Sequence, residues 1–306
     1  MARQGNRVSV PRPFLKWAGG KSQLLGEFSR YLPLSALKNK TITSYVEPFI
    51  GGGAVFFSLN RMFFFDRCTV CDVNEELILA YRVIRTSLPR LFCELAMLES
   101  AYHAKKGPKQ EAYYYEVRQD FNRNLASMDF SHYNNRWIQR AAQIIFLNHI
   151  CYNGLFRVNR SGWFNVPFGR YRNPEILNRD NLEKVSALLK NTRIICGDFT
   201  RCRSAVDDRT FVYLDPPYRP LNTTSSFTSY SRGGFSDTDQ VRLATFFRDL
   251  DRKGALVMLS NSDPGDSFFE ELYDGFSIRR VPAKRMINCN GSRRGVVNEL
   301  LITNYG

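Results

Sequence analysis

The stretch YVEPFIGGGAVFF, residues 45–57, joins a strand-like run, three consecutive glycines and the start of a helix. A strand that passes through a glycine turn into a helix is one β–α unit, and similar units recur along the chain. Strand-like runs lie at 42–49, 68–73, 192–199, 210–217, 255–263, 276–281 and 298–305. Most are separated by segments with helical patterning, which predicts a mostly parallel, open α/β sheet.

A long interruption separates the second of these runs from the third. Residues 75–178 are patterned first as helices and then as a hairpin, so we expect an inserted domain there and a second domain formed by 1–74 and 179–306. From Arg118 to Arg179 the chain has nine arginines, three acids and no lysine, hence a net charge of +6. Aromatic residues and asparagines lie between these arginines, which favours a surface that binds nucleic acid. A solvated cationic face with no partner is the alternative.

The whole chain also carries an excess of positive charge. It has 43 Lys and Arg against 29 Asp and Glu in 306 residues, a net charge of +14. This balance favours a polyanionic partner, nucleic acid first and a membrane surface second, over small neutral metabolites. The sequence has no signal-peptide core and no run of about 18 apolar residues, so we expect a cytoplasmic protein that does not enter the membrane.

The cysteines and histidines do not indicate a metal site. Seven scattered cysteines, an odd number, are typical of reduced thiols. Cys68 and Cys71 form a C-x-x-C pair, but in a strand they face opposite sides of the sheet. His149 follows Ile145 at helical spacing, which predicts a packed histidine at the edge of the core. We therefore expect no metal.

Two glycine-rich stretches match phosphate-binding motifs only in part. WAGGKS at 17–22 lacks the first glycine of a P-loop, because Leu15 stands in its place. GGGAVF at 51–56 has Phe56 where a dinucleotide-binding motif needs its third glycine. These departures disfavour a nucleotide-hydrolysing or NAD-dependent enzyme.

Acidic residues nevertheless follow several predicted strands. Asp72 comes 21 residues after Gly51, a position suited to binding ribose hydroxyls. Ligands of open α/β sheets lie outside the carboxyl ends of the strands. We therefore expect Gly51, Asp72, Asp198 and Asp215 to line one cleft for a ligand that contains adenosine.

The run FVYLDPPY, residues 211–218, ends a predicted strand with an acid, two prolines and a tyrosine. Proline offers a carbonyl and no N–H, and its ring fixes the backbone. Asp215 and a neighbouring carbonyl can therefore accept both hydrogens of an exocyclic amine, which frees the lone pair of the nitrogen to attack an electrophile. Tyr218 adds a face on which a planar base can stack.

Eight stretches in collinear order resemble the Dam-like D12 class of adenine-N6 DNA methyltransferases, which includes GATC-specific enzymes. They are FLKWAGGKSQLL (14–25), YVEPFIGGGAVFF (45–57), DVNEELI (72–78), CYNGLFRVN (151–159), FNVPFGRY (164–171), CGDF (196–199), DPPY (215–218) and LSNSD (259–263). The DPPY tetrapeptide alone is moderately specific, whereas the ordered set is highly specific and spans nearly the whole chain.

The resemblance implies a fold, a cofactor and a set of site residues. The fold is a seven-stranded Rossmann-like methyltransferase sheet with an inserted helical and β-hairpin target-recognition domain, and the methyl donor is S-adenosylmethionine. The implied cofactor-binding residues are Trp17, Lys21, Glu47, Phe49, Gly51, Gly53, Asp72, Asp198, Phe199 and Asp215. The implied catalytic residues are Asp215, Pro216, Pro217 and Tyr218. In this reading a flipped adenine, held by Asp215 and the Pro216 carbonyl and stacked on Tyr218, attacks the methyl group directly.

The segment 153–169 is patterned as a β-hairpin with Arg-Ser-Gly at its turn, and a two-stranded ribbon fits the DNA major groove. The resemblance implies the DNA-binding residues Tyr152, Asn153, Leu155, Arg157, Asn159, Pro167 and Arg140. In it, Tyr152 is inserted into the DNA double helix and Arg157 binds the first guanine. The resemblance therefore favours GATC in double-stranded DNA, bound by a monomer without an obligatory protein partner. Arg157 as a phosphate contact is the alternative.

Two further functions stay open at this point. One is a DNA-binding module that has lost catalysis; the other is methylation of a related amino group, in RNA or in a protein glutamine. The intact DPPY and glycine turn disfavour the first, and the aspartate of DPPY together with the arginine-rich hairpin disfavours the second. We also expect a mobile loop at 222–236 and a basic loop near phosphates at 288–295.

Overall fold

The computed structural model describes residues 10–17, 25–219, 234–284 and 296–306, which form a seven-stranded sheet covered by helices. The strands are β1 (Ser44–Glu47), β2 (Arg67–Asp72), β3 (Thr192–Cys196), β4 (Thr210–Leu214), β5 (Leu256–Ser262), β6 (Ser277–Lys284) and β7 (Val296–Thr303). Their order across the sheet is β3-β2-β1-β4-β5-β7-β6. Each strand overlaps one of the seven predicted runs, so the predicted α/β fold class with a seven-stranded Rossmann-like sheet is confirmed.

Strands β1 to β5 are parallel, and β7 is antiparallel to both of its neighbours. The carboxyl ends of β1, β2, β4 and β5 therefore share one edge of the sheet. The chain fills one half of the sheet outward from β1 through β2 to β3, and the other half begins at β4 beside β1. The order reverses between β1 and β4, and such a switch point opens a crevice for ligands.

The described part of the chain has ten α-helices. They are α1 (Leu25–Phe28), α2 (Leu34–Lys38), α3 (Ala54–Met62), α4 (Glu75–Thr86), α5 (Leu88–His103), α6 (Pro108–Arg123), α7 (Arg136–Ile150), α8 (Arg179–Leu189), α9 (Asp237–Arg252) and α10 (Phe268–Leu272). Helices α3, α4 and α8 bury apolar residues against one face of the sheet, and α9 and α10 cover the other. Coverage of both faces explains why the parallel strands are nearly continuous apolar runs.

The C-x-x-C pair of β2 follows this two-sided arrangement. Cys68 is buried in the core on the α3 side of the sheet, and Cys71 is buried in the core on the α9 side. The prediction that these two thiols face opposite sides of the sheet is confirmed. Burial raises the pKa of the Cys68 thiol to about 12, so this side chain behaves as a packed apolar group.

Helices α4 to α7 lie between β2 and β3 in the chain. Helix α7 is buried on almost every side, among α4, α5 and α6. Helix α4 contacts β2, β3 and α8, and its apolar residues belong to the same core as those of β1 and α3. The helices that precede the ribbon are thus continuous with the core of the sheet. The domain boundaries at residues 75 and 178 stay a prediction.

The segment that follows α7, residues 151–178, is a ribbon without continuous strands. Its two sides meet at isolated bridges, Cys151 with Phe168 and Val158 with Phe164. The predicted turn is present, since the Asn159 amide donates to the Trp163 carbonyl at 2.9 Å. The predicted β-hairpin is therefore present with its turn, and backbone hydrogen bonds such as Asn165 amide to Arg157 carbonyl at 3.1 Å join its two sides without forming continuous strands.

Side chains of α6 bond the outer edge of the ribbon, on its second side. Asn122 bonds both backbone groups of Phe164, donating to its carbonyl at 3.0 Å and accepting from its amide at 2.8 Å. The Tyr114 hydroxyl and Arg118 both donate to the Val166 carbonyl, at 2.7 and 3.1 Å. Buried backbone groups need partners, and here a helix supplies them along the outer edge of the ribbon.

No helix within the described ranges is long and apolar enough to cross a membrane. Three sequence predictions fall wholly or mostly outside those ranges: Lys21 as a cofactor-binding residue, the loop at 222–236 and the basic loop at 288–295. His149 lies where it was expected, bonded through its two ring nitrogens to the carbonyls of Glu175 and Phe14 at 2.6 and 3.0 Å.

Candidate active site

The glycine turn after β1 lies directly against Trp17. Gly51 and Gly53 have φ angles of +46° and +75°, a conformation that side chains disfavour. A Cβ atom on Gly51 would lie 2.8 Å from Cδ1 of Trp17, and one on Gly52 would lie 2.9 Å from its Cβ. The fold thus brings together two of the stretches predicted to bind the cofactor, although they are 34 residues apart in the chain.

Asp72 connects the end of β2 to this turn. Its Oδ2 accepts from the Gly51 amide at 3.1 Å, and its Oδ1 accepts from the Asn74 amide at 2.9 Å. Burial raises the pKa of Asp72 to about 6, and the backbone donors offset only part of this effect. Each carboxylate oxygen has two lone pairs, so Asp72 retains the capacity to accept ribose hydroxyls.

Glu47 ends β1 and lies between two other acids. Its side chain is 2% exposed, and its Oε2 accepts from the Tyr45 hydroxyl at 2.6 Å. Burial raises the pKa of Glu47 well above its usual range, and the charges of Asp215 and Asp72 raise it further. Burial therefore favours the neutral carboxyl here. The proximity also shows that the ends of β1, β2 and β4 converge, as the sequence predicted for Asp72 and Asp215.

An aromatic cluster lies beside these strand ends. Phe49 is half-buried, and its ring lies 5.5 Å from that of Phe199 and 5.9 Å from that of Phe235. Phe199 itself is 2% exposed, so Phe49 is the more accessible ring. Asp198 accepts from the Thr200 amide and hydroxyl at 3.0 and 2.6 Å, which caps the short helix that follows β3. The Asp198 carboxylate therefore also stabilises the start of this helix.

The DPPY segment follows β4 at the switch point. Asp215 and Tyr218 are half-buried, Pro216 is buried and Pro217 is exposed. The hydroxyl of Ser260 donates to Oδ1 of Asp215 at 3.1 Å. An acid and an aromatic ring therefore lie together at the carboxyl edge, as the sequence predicted.

Three residues that support DPPY were not identified from the sequence as site residues. They are Ser260 on β5, Gln240 on α9 and Glu299 on β7. Gln240 is fully buried and donates to the Pro217 carbonyl at 3.3 Å, and Glu299 accepts from the Tyr218 hydroxyl at 2.8 Å. For Ser260 and Glu299 the available signal was a polar residue within an apolar stretch, because a buried polar side chain requires a partner.

The ribbon exposes most of the residues predicted to bind DNA. Tyr152 is 55% exposed and Asn153, Arg157, Asn159 and Pro167 are also exposed, whereas Leu155 is half-buried. Asn153 has a φ angle of +57°, which places it at a sharp bend directly after Tyr152. The Oδ1 of Asn165 accepts from Nε of Arg157 at 2.8 Å. Asn159 binds the turn, accepting from the amides of Ser161 and Trp163 at 3.0 and 2.9 Å.

Arg140 contradicts its predicted role in DNA binding. Its side chain is 2% exposed, and its Nε donates to both carboxylate oxygens of Glu76, at 3.1 and 2.9 Å. The guanidinium also lies 3.4 Å from the centre of the Phe121 ring and bonds the Phe121 carbonyl. A buried cation needs such partners, and Glu76 already neutralises this one. Arg140 therefore joins α7 to α4 and faces the core.

The segment 14–17 contacts both the ribbon and the glycine turn, and so links the two. Asn148 accepts from the Lys16 amide at 2.8 Å and donates to the carbonyls of Lys16 and Gly154 at 2.8 and 2.9 Å. Trp17 stacks on Phe156 of the ribbon with ring centres 5.3 Å apart and planes 19° apart. One face of Trp17 thus contacts the ribbon while its edge contacts the turn.

Comparison with known proteins agrees with this geometry. The D12 class N6 adenine-specific DNA methyltransferase family matches residues 17–287. The chain is 51% identical over 295 residues to the type II methyltransferase M.MjaIII of Methanocaldococcus jannaschii, covering 96% of this chain and 99% of that one. It is 40% identical to M1.LlaDCHI of Lactococcus lactis subsp. cremoris, over 99% and 98% of the two chains, and 33% identical to the DNA adenine methylase of Escherichia coli K12, over 95% and 94%. The chain belongs to the D12 class of N6 adenine-specific DNA methyltransferases.

Proposed function

We propose that this methyltransferase transfers the methyl group of S-adenosylmethionine to N6 of a flipped adenine within GATC. The observation that carries the proposal is the position of Asp215. This acid ends β4 beside the switch point and shares that edge with Glu47, Asp72 and the glycine turn. An acceptor for the target amine and a cradle for an adenosine-bearing donor are therefore adjacent.

The residues of this edge fit S-adenosylmethionine. Asp72 retains lone pairs for the two ribose hydroxyls, and Phe49 offers a partly accessible ring for the adenine. The glycines carry no side chains of their own, and Trp17 packs against Gly51 and Gly52. When bound, S-adenosylmethionine supplies a methyl group on a positively charged sulfur.

The DPPY residues act on the target base. Asp215 and the Pro216 carbonyl accept the two hydrogens of the adenine amine, so that the nitrogen lone pair is drawn out of conjugation with the ring. Ser260 orients the Asp215 carboxylate through its hydroxyl, 3.1 Å away. Tyr218 supports the face of the base. The nitrogen becomes positively charged as it reacts and loses a proton readily afterwards, so no strong base is needed.

The exposed ribbon supports GATC as the target. Arg157 is exposed, and its Nε is held by Asn165, which leaves its two terminal nitrogens as the groups to bind guanine O6 and N7. Leu155 and Pro167 supply apolar surface for a thymine methyl. Tyr152 is the aromatic to insert into the base stack. These roles follow the family resemblance, and their exposure in the ribbon is consistent with them.

Methyl transfer to defined duplexes tests the proposal. We would measure the transfer of label from radiolabelled S-adenosylmethionine to three duplexes. One contains a single GATC, one has GTAC in its place, and one has 2-aminopurine in place of the target adenine. Label on the GATC duplex alone, lost in Asp215→Ala, is the expected result. Equal label on GATC and GTAC would remove the sequence specificity. Tight binding without label would instead indicate a silent DNA-binding module.

A competitor extends this test. Excess unlabelled RNA duplex leaves the transfer unchanged if DNA is the substrate, and abolishes it if RNA is.

We also propose that the enzyme acts as a monomer without an obligatory protein partner. Light scattering at the assay concentration then gives the chain mass of 35.4 kDa, whereas a dimer gives twice that value.

A further inference from the structure

Glu299 of β7 is an acid buried inside an apolar sheet. It is 5% exposed, and its neighbours Leu300, Leu301 and Ile302 are fully buried. Its Oε1 accepts from the hydroxyl of Tyr218 at 2.8 Å, across 81 residues of sequence. Burying a carboxylate is costly unless strong hydrogen bonds offset the lost hydration, so an acid at this position needs a reason.

The position of Glu299 in the sheet supplies that reason. It lies opposite Ser262 of β5, and Ser260 lies two residues earlier on the same face of that strand. Each of these three side chains bonds the segment that begins at Asp215: Ser260 bonds the Asp215 carboxylate, Ser262 the Arg219 carbonyl and Glu299 the Tyr218 hydroxyl. The pair β5 and β7 therefore presents a polar strip to the target pocket.

We propose that Glu299 is a positioning residue that fixes the ring of Tyr218 for the target adenine. The inference rests on the proposed function, in which that base stacks on Tyr218. The backbone of Tyr218 is held at one end of the side chain, through the Pro217 carbonyl and Gln240. Glu299 holds the other end, the hydroxyl. A ring fixed at both ends loses no further freedom when the base arrives, which accelerates capture of the flipped base.

A double-mutant cycle tests whether Glu299 acts through that hydroxyl. The variants are Glu299→Ala, Tyr218→Phe and the two combined, each measured in single-turnover methyl transfer at saturating S-adenosylmethionine. We expect each single variant to slow the step about tenfold, and the double variant to be slower than either by no more than about twofold. The KM for S-adenosylmethionine changes little, because neither side chain is assigned to the cofactor.

Base flipping gives a second readout. A duplex with 2-aminopurine at the target position becomes more fluorescent when the base leaves the stack, and we expect Glu299→Ala and Tyr218→Phe to reduce that signal alike. Glu299→Gln keeps an acceptor oxygen and should recover most of both signals. Asn298→Ala is the matched control, because this exposed neighbour lies on the same strand and should have no effect.

Losses that multiply in the double variant would overturn the inference, because Glu299 would then act on something other than Tyr218. An equal loss in Asn298→Ala would overturn it too, since a general disturbance of β7 would suffice. If Glu299→Ala does not fold, Glu299→Leu with Tyr218→Phe completes the same cycle. Absence of methyl transfer by the wild-type enzyme would contradict the proposed function itself, so the two failures are distinguishable.

Discussion

Asp72 has a protonation state that depends on its surroundings more than on its own chemistry. Burial at the end of β2 raises its pKa to about 6, although the amides of Gly51 and Asn74 donate to it. The acid form suits the buried position, but only the ionised form accepts hydrogen bonds through all of its lone pairs. The glycine turn, 21 residues earlier in the chain, thus lies next to a group that titrates near neutrality.

This pKa predicts how binding and stability change with pH. S-adenosylmethionine should bind more tightly as the pH rises from 5 to 7, with a midpoint near the pKa of about 6. The stability contribution of Asp72 has the opposite trend: a folded pKa above the ordinary 3.8 means that it is fully present below about pH 4 and lost as the pH rises through about 6. Titration calorimetry and urea unfolding at each pH measure the two trends. Asp72→Asn should remove this step from both, and a persistent step would assign it to another group.

Gly53 is a position where only glycine fits. It precedes α3 with a φ angle of +75°, and an added Cβ would lie 2.7 Å from the Tyr81 hydroxyl and 2.8 Å from Cε2 of Phe57. Gly53→Ala should therefore lower the free energy of unfolding by about 2–4 kcal/mol, from backbone strain and overpacking together. Gly26→Ala is the matched control, because nothing lies within 4 Å of its added Cβ and it should change stability by less than about 1 kcal/mol. Urea unfolding of both variants checks the difference.

Arg157 separates base recognition from phosphate binding. If its guanidinium binds guanine, Arg157→Gln should reduce discrimination at one base pair by about 1–3 kcal/mol and leave transfer to other sites nearly unchanged. Methylation rates on a set of duplexes that differ at each position of GATC measure this. A uniform loss on all of them would assign Arg157 to a phosphate.

At the scale of elements, two helices hold the ribbon that carries the residues proposed to bind DNA. Helix α6 supplies hydrogen bonds to its backbone through Asn122 and Tyr114, and α7 ends directly before it. The Asn148 side chain at the end of α7 also bonds Lys16, next to Trp17 and the glycine turn. The helices therefore connect the ribbon to the segment 14–17, which contacts the glycine turn proposed to bind the cofactor.

Asn148 is expected to stabilise this junction. It is 1% exposed and makes three hydrogen bonds to the backbone of Lys16 and Gly154. Asn148→Ala leaves these groups without their partner and should lower the free energy of unfolding by about 2–4 kcal/mol. Gln139→Ala, an exposed position on the same helix, should change it by less than about 0.5 kcal/mol. Similar losses in both would mean that helix propensity, and not the junction, is responsible.

At the scale of the whole molecule, positive charge is dense in the segment 118–179, which has a net charge of +6. Seven of its nine arginines are exposed, Arg118 is half-buried and Arg140 is buried against Glu76. This segment therefore supplies +6 of the net charge of +14, and it includes the ribbon. Long-range attraction brings DNA to this surface, and short-range contacts select the sequence.

This charge distribution predicts a steep salt dependence. The logarithm of the DNA-binding constant should fall linearly with the logarithm of salt concentration, and Arg172→Gln should make the slope shallower by about 1. Arg252→Gln, at the end of α9, should leave the slope unchanged, because that side chain pairs with Asp249 on the other face of the sheet. Fluorescence anisotropy at several salt concentrations measures the slopes, and equal slopes for both variants would argue against a local footprint.

The fold class, the seven strands and the local chemistry of DPPY could all be predicted from the amino-acid sequence. They depend on strand periodicity, glycine turns and proline, which are properties of neighbouring residues. The sequence also indicated the convergence of Asp72 and Asp215, since parallel strands end at one edge. Contacts between residues that are far apart in the chain but close in space are seen only in the tertiary structure. Arg140 faces the core because Glu76, 64 residues away, neutralises it, and Glu299 reaches Tyr218 because β7 lies antiparallel to β5. The ribbon packs on α6 for the same reason: Asn122 and Tyr114 bond its outer edge, and no pattern within the ribbon carries that information.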